Sequence, residues 1–518
     1  MTSGSDNKSD LGIADIVRRI WARNYSIWPE PSTGGGGDWM GWLDLPASMH
    51  SGIGFAEHAH RDLMEGITSF NILGMGGSSL TPEVLSSVFP ETALKLKVFD
   101  TVNPVTIRNV LTTMDISTAA FAVASKSGTT VEPLSLESVF RAALSDAGIT
   151  DVADHFVALS DPGTPLAHRA TDKEFAFHIP TPPNVGGRFS ALSGFGMLPA
   201  SVCGMPTDEM TRSALAMADR CRREDASNPG ADLGIVMATN ALRGRDKVTF
   251  AMSPSLERLG LWLEQLLAES TGKNGRGLVP IAGEAVLPPQ AYGDDRQFVC
   301  IALEGEDIPA NPARDDHPTY RIDVPDRASI AGELFRWEFA TTVAACAIGV
   351  YPFDQPDVEA AKQLARAALE SNSAPNQAPR DLESAVLSIA NSGDEGGYVA
   401  IVAYLPESIE LTNQISALRV AISNATGMAT TFGYGPRYLH STGQLHKGGP
   451  NSVRLLAITE NTDVDVAVPG QTYSLGDLLH SQAVGDVQAC RENGRRAEFV
   501  QTEGNVISEL KSVTAKIT

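Results

Sequence analysis

The sequence predicts an α/β fold built around parallel β-sheets. From about residue 48 to residue 370, short apolar segments of strand length alternate with segments of helix length. This alternation is typical of parallel sheets, because each crossover between parallel strands carries a helix that covers one face of the sheet. The chain has 518 residues, which is enough for several domains of ~100–200 residues each. We therefore expect at least two α/β domains.

The order of apolar segments and of linker-like segments predicts where these domains begin and end. Residues 11–30 carry apolar positions that predict one N-terminal helix, and SNSAPNQAPRD has the composition of a linker. Strand-like segments include SFNILGM, LKVFDT, FAVAS, HFVALS and FAFHIP in the first unit, KVTFAMS and QFVCIAL in the second, and YRIDVP at an edge. Helices are predicted over 259–270, 331–350, 358–370 and 409–425. The predicted segments are an N-terminal helical extension (1–47), a first domain (48–204), a second domain (205–370), a linker (371–381) and a C-terminal α/β module (382–518).

The net charge argues against nucleic-acid and membrane binding, and the cysteine content indicates the redox compartment. The chain has 62 acidic and 40 basic residues, a net charge of −22, and this negative surface repels nucleic acids and anionic membranes. An anionic substrate would need a locally positive pocket. The five cysteines are far apart, which predicts free thiols in the reducing cytoplasm. No apolar run reaches the ~20 residues of a membrane helix.

Two polar loops follow neighbouring strands of the first domain. NILGMGGSSL runs from a strand into glycines that let the backbone approach an anion closely, although a simple tight turn would have the same sequence. FAVASKSGTTVE places hydroxyls and one ammonium group directly after a strand, which suits a phosphate monoester. The candidate phosphate-binding residues are Gly77, Ser78, Ser125, Lys126, Ser127 and Thr130.

SKSGTT followed by Glu132 resembles the phosphate loop of sugar isomerase (SIS) domains, in particular that of glucose-6-phosphate isomerases. Three further segments resemble motifs of that family: NVGGRFSALSGFGMLP, GLWLEQLLAESTGKNGRGLVP and PFDQPDVEAAK. The resemblance covers about residues 65–370. It implies two SIS-type, flavodoxin-like three-layer αβα domains. It also implies that the site contains Gly187, Arg188, Glu269, Gln355 and Lys362.

The histidine motif of the family is in an unusual position. The family's catalytic histidine lies between its glutamate and its lysine, where this chain has only His317, whose surroundings do not match. The matching phrase is YLHSTGQLHKGG, which implies His440 as the catalytic histidine and leaves His446 as the alternative. Together with the segment WLDLP, this order resembles the isomerase half of fused transaldolase/glucose-6-phosphate isomerases. We expect transaldolase to be a separate chain and leave a functional link to it open.

The family resemblance implies a homodimer in which the histidine enters the site from the neighbouring subunit. It also implies the interconversion of glucose 6-phosphate and fructose 6-phosphate through ring opening and a cis-enediol, without a metal or redox cofactor. One carboxylate, Glu269, can move the proton between adjacent carbons, and the charge of Arg188 can stabilise the enediolate. Lys362 and His440 can open the ring, and Glu132 can orient the histidine.

Two alternatives to this function stay open at the level of sequence. The first is a sugar-phosphate sensor that binds without catalysis, which would need the phosphate loops but not the catalytic groups. The second is an isomerase that also acts on mannose 6-phosphate.

Overall fold

Three parallel sheets, each flanked by helices, form the core of the protein in its computed structural model. The structure describes residues 12–32, 37–49, 66–308, 316–371, 379–391 and 396–517. Of the predicted linker, residues 372–378 lie outside these ranges. The predicted α/β class with parallel sheets is confirmed.

The first sheet has five parallel strands in the order β2-β1-β3-β4-β5. Both of its faces are covered: along the central strand, Ala120 and Ala122 belong to one apolar core, while Phe121 and Val123 belong to another. The strands are β1 (Ser69–Gly74), β2 (Lys95–Phe99), β3 (Ala119–Ala124), β4 (Phe156–Ser160) and β5 (Phe177–Pro180). The helices after α1 (Ile13–Trp21) are α2 (Leu80–Val88), α3 (Pro104–Thr113), α4 (Val131–Asp146), α5 (Pro165–Thr171) and α6 (Gly194–Val202).

The strand order reverses between β1 and β3, which lie side by side. In an open parallel sheet, the crevice at such a point, beyond the carboxyl ends of the strands, is where ligands bind. The glycine-rich turn follows β1 and the Ser/Thr loop follows β3. The topology therefore brings the two predicted phosphate loops together.

The N-terminal extension differs from the prediction of one helix over 11–30. Helix α1 ends at Trp21, and Arg23 then adopts a left-handed conformation with a φ of 52°. The turn allows Trp28 to pack in the core, where its indole N–H donates to the carbonyl of Thr342 at 3.0 Å. Its ring also meets that of Phe353 at 5.3 Å between centroids. The helix ends early because the chain must turn for Trp28 to pack in the core.

The second sheet has the order β7-β6-β8-β9, and YRIDVP forms its edge as predicted. Its short strand β7 was not predicted, because it contains Pro280, and proline argues against a strand. The strands are β6 (Lys247–Met252), β7 (Val279–Ile281), β8 (Arg296–Leu303) and β9 (Thr319–Val324). The helices are α7 (Thr207–Arg220), α8 (Pro229–Leu242), α9 (Leu259–Thr271), α10 (Ile330–Ile348) and α11 (Pro356–Ser371).

The C-terminal region forms a third parallel sheet in the order β11-β10-β12-β13. Its strands are β10 (Tyr398–Tyr404), β11 (Ala429–Tyr434), β12 (Val453–Glu460) and β13 (Arg496–Thr502). Its helices are α12 (Leu382–Ala390), α13 (Ile409–Thr426), α14 (Gly443–Gly448), α15 (Leu475–Glu492) and α16 (Val506–Ile517). This module is therefore an α/β unit with its own sheet, and the sequence motifs assign no role to its residues 455–518.

The third sheet packs against the rest of the molecule through polar and close helical contacts. Arg437 forms a two-pronged ion pair with the buried Asp100, at 2.7 Å (Nε to Oδ2) and 2.9 Å (Nη2 to Oδ1). Helix α15 packs along α11 so closely that a Cβ at Gly485 would lie 2.6 Å from the backbone nitrogen of Ala365. The C-terminal module thereby reaches the crevice of the first sheet. Within the described ranges, no helix is long and apolar enough to cross a membrane.

Candidate active site

A cavity of about 540 Å³ lies beyond the carboxyl ends of β1 and β3. Helices α9 and α11 of the second domain and helix α15 of the C-terminal module supply its other walls. All but one of the side chains and glycines predicted for the site line this cavity. They are Gly77, Ser78, Lys126, Ser127, Thr130, Glu132, Gly187, Arg188, Glu269, Gln355, Lys362 and His440.

The exception among the predicted residues is Ser125, which is 1% exposed and does not line the cavity. Its hydroxyl lies 2.8 Å from the hydroxyl of Thr130 and accepts the Thr130 backbone N–H at 3.3 Å. Ser125 therefore shapes the Ser/Thr loop from behind instead of facing the cavity. Its predicted contact with a ligand stays a prediction, and its side chain is the one among the predicted set that points back into the loop.

The glycine-rich turn after β1 permits two close backbone contacts. Gly76 has a φ of +56°, and a Cβ there would lie 2.6 Å from the carbonyl oxygen of His440. A Cβ at Gly77 would lie 1.9 Å from the carbonyl oxygen of Gly187. Side chains at these positions would separate the segments that carry the histidine and the arginine. The turn is therefore required for assembly of the cavity as well as for a strand–helix connection.

The Ser/Thr loop presents hydroxyl groups and one ammonium group at the cavity wall. The hydroxyls of Ser127 and Thr129 lie 2.9 Å apart. Lys126 forms an ion pair with Asp161 and donates to the carbonyl of Pro182 at 3.2 Å. Hydroxyl donors next to a cation suit an anionic group such as a phosphate. Asp161 was not predicted from the sequence, because it follows a different strand, β4.

Arg188 is 3% exposed, and all three of its guanidinium nitrogens donate hydrogen bonds within the protein. Nε donates to Ser270 Oγ at 2.8 Å, Nη1 to Gln355 Oε1 at 3.0 Å and Nη2 to the Pro352 carbonyl at 2.5 Å. Nη1 also lies 3.3 Å from Glu269 Oε1. Burial lowers the pKa of Arg188, and the nearby carboxylate of Glu269 opposes that shift. The guanidinium is thus a fixed positive charge beside the predicted base.

Glu269 lies near the end of α9 and is 9% exposed. Its Oε2 accepts a hydrogen bond from Gln265 Nε2 at 3.0 Å. The same Gln265 nitrogen donates to the backbone carbonyl of His440 at 2.8 Å. Gln265 was missed at the level of sequence, although residues four apart on a helix share a face. This amide ties the predicted base to the histidine segment.

His440 lies in the cavity with Nε2 2.7 Å from Glu132 Oε1. A carboxylate can only accept, so Nε2 carries the proton of this hydrogen bond. Burial would raise the pKa of Glu132, but the charge and hydrogen bond of His440 lower it overall, with help from a hydrogen bond of Gln482. His446, in contrast, is 1% exposed, is bonded to the hydroxyl of Tyr398 at 2.9 Å, and does not line the cavity. Burial lowers the pKa of His446 to about 3.

One chain brings His440 together with the other predicted groups, whereas the family resemblance implies a histidine from a neighbouring subunit. The Glu132 that it contacts belongs to the first domain of the same polypeptide. The physical reason is the C-terminal module: its ion pair between Arg437 and Asp100 places the adjoining His440 segment over the crevice. The His440 segment thus lies at the cavity even though its motif follows the lysine motif in the sequence.

Lys362 lies on the cavity wall at the rim, where its side chain is 42% exposed. Its ammonium group lies 2.9 Å from Glu359 Oε1 on the preceding turn of α11. The first turn of α11 is fixed by the buried Gln444, which accepts the Asp357 N–H at 3.0 Å and donates to the Gly272 carbonyl at 3.0 Å. Gln444 therefore joins the starting end of the lysine helix to the end of the glutamate helix.

Comparison with known proteins shows which family this chain resembles. Residues 58–280 match the phosphoglucose isomerase family. The glucose-6-phosphate isomerase of Rubrobacter xylanophilus is 28% identical over 379 residues, which are 62% of this chain and 88% of the relative. The chain is similar to glucose-6-phosphate isomerases. The resemblance found in the sequence is thereby confirmed.

Further similarities to glucose-6-phosphate isomerases agree with this relationship. That of Carboxydothermus hydrogenoformans is 31% identical over 288 residues, which are 51% of this chain and 61% of the relative. The crystal structure of a glucose-6-phosphate isomerase from Chlamydia trachomatis superposes with a TM-score of 0.53. That alignment covers 71% of this chain and 80% of the other at 19% identity, and it shows a shared fold.

The close approach of Gly77 to Gly187 can be tested by substitution. We expect Gly77→Ala to lower the free energy of unfolding by about 3 kcal/mol, because a buried backbone contact must separate to admit the methyl group. Denaturation with urea measures the change. Gly187→Ala is the matched control: a Cβ there meets nothing within 4 Å, so its effect should stay within about 0.5 kcal/mol. Equal destabilisation by the two variants would contradict the assignment.

Proposed function

We propose that this protein catalyses the reversible isomerisation of glucose 6-phosphate and fructose 6-phosphate through ring opening and a cis-enediol. The observation that carries the proposal is the setting of Glu269 in the cavity. Its carboxylate lies between the guanidinium of Arg188 and the amide of Gln265, next to the histidine that is bonded to Glu132. The relationship to glucose-6-phosphate isomerases supports the choice of substrate.

The phosphate group of the substrate would bind at the two loops that follow β1 and β3. Gly77 and Ser78 of the glycine-rich turn line this end of the cavity, together with Ser127 and Thr130, whose hydroxyls can donate hydrogen bonds. Such uncharged donors, with the ammonium group of Lys126, can hold a phosphate monoester without a broad basic surface. Binding one end of the sugar here orients the reacting carbons toward Glu269.

Ring opening requires one proton at the ring oxygen and the loss of one proton from the anomeric hydroxyl. His440 and Lys362 would share these transfers. Nε2 of His440 is committed to Glu132, so the second ring nitrogen, Nδ1, is the one left for the substrate. Glu132 thereby fixes the orientation of the imidazole ring.

Isomerisation of the open chain would then use Glu269 as the single base. The carboxylate takes the proton from C2 and returns it at C1, while a proton passes between the two oxygens of the enediol. The enediolate carries developing negative charge, which the fixed charge of Arg188 stabilises in a buried setting. A sugar-phosphate sensor would need the phosphate loops alone, and the three groups Glu269, Arg188 and His440 favour catalysis.

We also propose that the enzyme works in the cytoplasm. All five cysteines are free and buried, which agrees with a reducing compartment. The homodimer stays a prediction, although one chain already brings the predicted site groups together. The functional link to a separate transaldolase likewise stays a prediction.

Glu269→Gln tests the proposed base. The substitution keeps the shape of the side chain and removes its basicity, so we expect turnover of fructose 6-phosphate to fall by about 10³-fold while substrate still binds. A coupled assay that detects glucose 6-phosphate measures turnover, and calorimetry measures binding. Unchanged turnover in the variant would refute the proposed function.

Substituting the two histidines separately tests which imidazole opens the ring. We expect His440→Gln to slow turnover of the closed-ring substrate by about 10²-fold. His446→Gln should retain most of the activity, because His446 is buried beside Tyr398 and lies outside the cavity wall. Both variants are assayed after their folding has been checked by circular dichroism. Loss of activity in His446→Gln alone would contradict the role given to His440.

A further inference from the structure

Glu132 accepts a second hydrogen bond, from a residue that the sequence motifs do not include. Nε2 of Gln482 lies 2.6 Å from Glu132 Oε1, the same oxygen that accepts from His440 at 2.7 Å. Glu132 is 2% exposed and Gln482 is 6% exposed. Gln482 lies 350 residues from Glu132 in sequence. A buried carboxylate, an imidazole and an amide therefore meet at one oxygen atom.

Helix α15 holds Gln482 in place through its neighbours. Asp486, one turn further along, is 1% exposed, accepts a hydrogen bond from the hydroxyl of Tyr438 and forms an ion pair with the ammonium group of Lys447. Tyr438 and Lys447 lie on either side of His440 in sequence. The helix that carries Gln482 is thus fixed to the segment that carries the histidine. The amide and the imidazole approach Glu132 as parts of one module.

The orientation of the Gln482 amide is determined by the charge of Glu132. Only the NH₂ group of the amide can donate a hydrogen bond to the Glu132 carboxylate. The amide oxygen also carries negative partial charge and would be repelled by the carboxylate. Oε1 of Gln482 is buried and has no hydrogen-bond partner within the described part of the chain. An unpaired buried oxygen is costly, and a hydrogen bond to a charged group is stronger than a neutral one. The amide is therefore suited to stabilising the ionised form of Glu132.

We propose that Gln482 is a positioning residue that keeps Glu132 ionised and directed at His440 during ring opening. This inference rests on the proposed isomerase function. A hydrogen bond donated to a carboxylate favours its charged form, so loss of the bond must raise the pKa of Glu132. Once protonated, Glu132 has no negative charge to strengthen the hydrogen bond that it accepts from His440. As the pH is lowered, a variant without this hydrogen bond should therefore lose activity at a higher pH than the wild type does.

Other titratable groups lie on the elements around Glu132 or face the same cavity, and substitution of Gln482 changes none of them. Those outside the cavity wall are Tyr404 of the third sheet and the pair of Glu137 and Arg141 on the helix of Glu132 itself. The remaining groups are Lys126, Asp161, Arg188, Glu269, Glu359, Lys362, Arg366 and His440. A shift of the acid limb that appears on substitution of Gln482 alone can therefore be assigned to the bond with Glu132.

Gln482→Met tests the inference, because methionine has a similar length and cannot donate. We expect the acid limb of the pH profile of kcat for closed-ring substrate to move upward by about one pH unit, which lowers activity on that limb about tenfold. Gln482→Asn, whose shorter amide does not reach Glu132, should shift it in the same direction. Gln488→Met is the matched control, since Gln488 lies on the same helix and its side chain donates to Glu492 at 2.8 Å, away from Glu132.

The outcomes separate the two proposals. An inactive wild-type protein would refute the isomerase function itself. Active wild type with an unchanged acid limb in a folded Gln482 variant would overturn the role of Gln482. Failure of both Gln482 variants to fold, while Gln488→Met folds, would also overturn it by making Gln482 a purely structural residue. A shift confined to the Gln482 variants supports the positioning role.

Discussion

The hydrogen bond between His440 and Glu132 is the contact on which the arrangement of the cavity depends. It joins the C-terminal module to helix α4 of the first domain, with 2.7 Å between His440 Nε2 and Glu132 Oε1. Three further groups are arranged around it: Gly76, whose missing side chain admits the His440 carbonyl, Gln265, which donates to that carbonyl, and Gln482. Each of them belongs to a different part of the chain. The third sheet is therefore a component of the site, because without it the crevice lacks both the imidazole and the second donor to Glu132.

The charges in the cavity are balanced locally, although the chain carries a net charge of −22. Lys126 is paired with Asp161, Arg188 with Glu269 and Lys362 with Glu359. The pair that contains Arg188 is nearly buried, so its interaction is screened little by solvent, whereas that of Lys362 is exposed and weak. An anionic substrate therefore meets a few cations already held in place. The acidic surface bears on solubility, and the local pairs determine what the cavity can bind.

How much of the site the sequence reveals depends on whether its residues act locally or through packing. Lys126, Arg188 and Glu269 stand in segments whose neighbours identify them, and all three line the cavity. The spacing on α9 could have revealed Gln265, four residues before Glu269. No local pattern could reveal Gln482, since it reaches the cavity through helix packing and the fixed position of the third sheet. The choice between two histidines six residues apart likewise required burial, which only the folded chain shows.

The central claim is that one chain builds the whole site. The most direct test mixes two impaired variants, Glu269→Gln and His440→Gln, and then dissociates and reassociates the chains. If each cavity takes its glutamate and its histidine from the same polypeptide, every cavity in the mixture lacks one group and activity stays at the level of the separate variants. If histidines crossed between subunits, hybrid molecules would contain intact sites. Recovery of a substantial fraction of wild-type activity in the mixture would contradict the account.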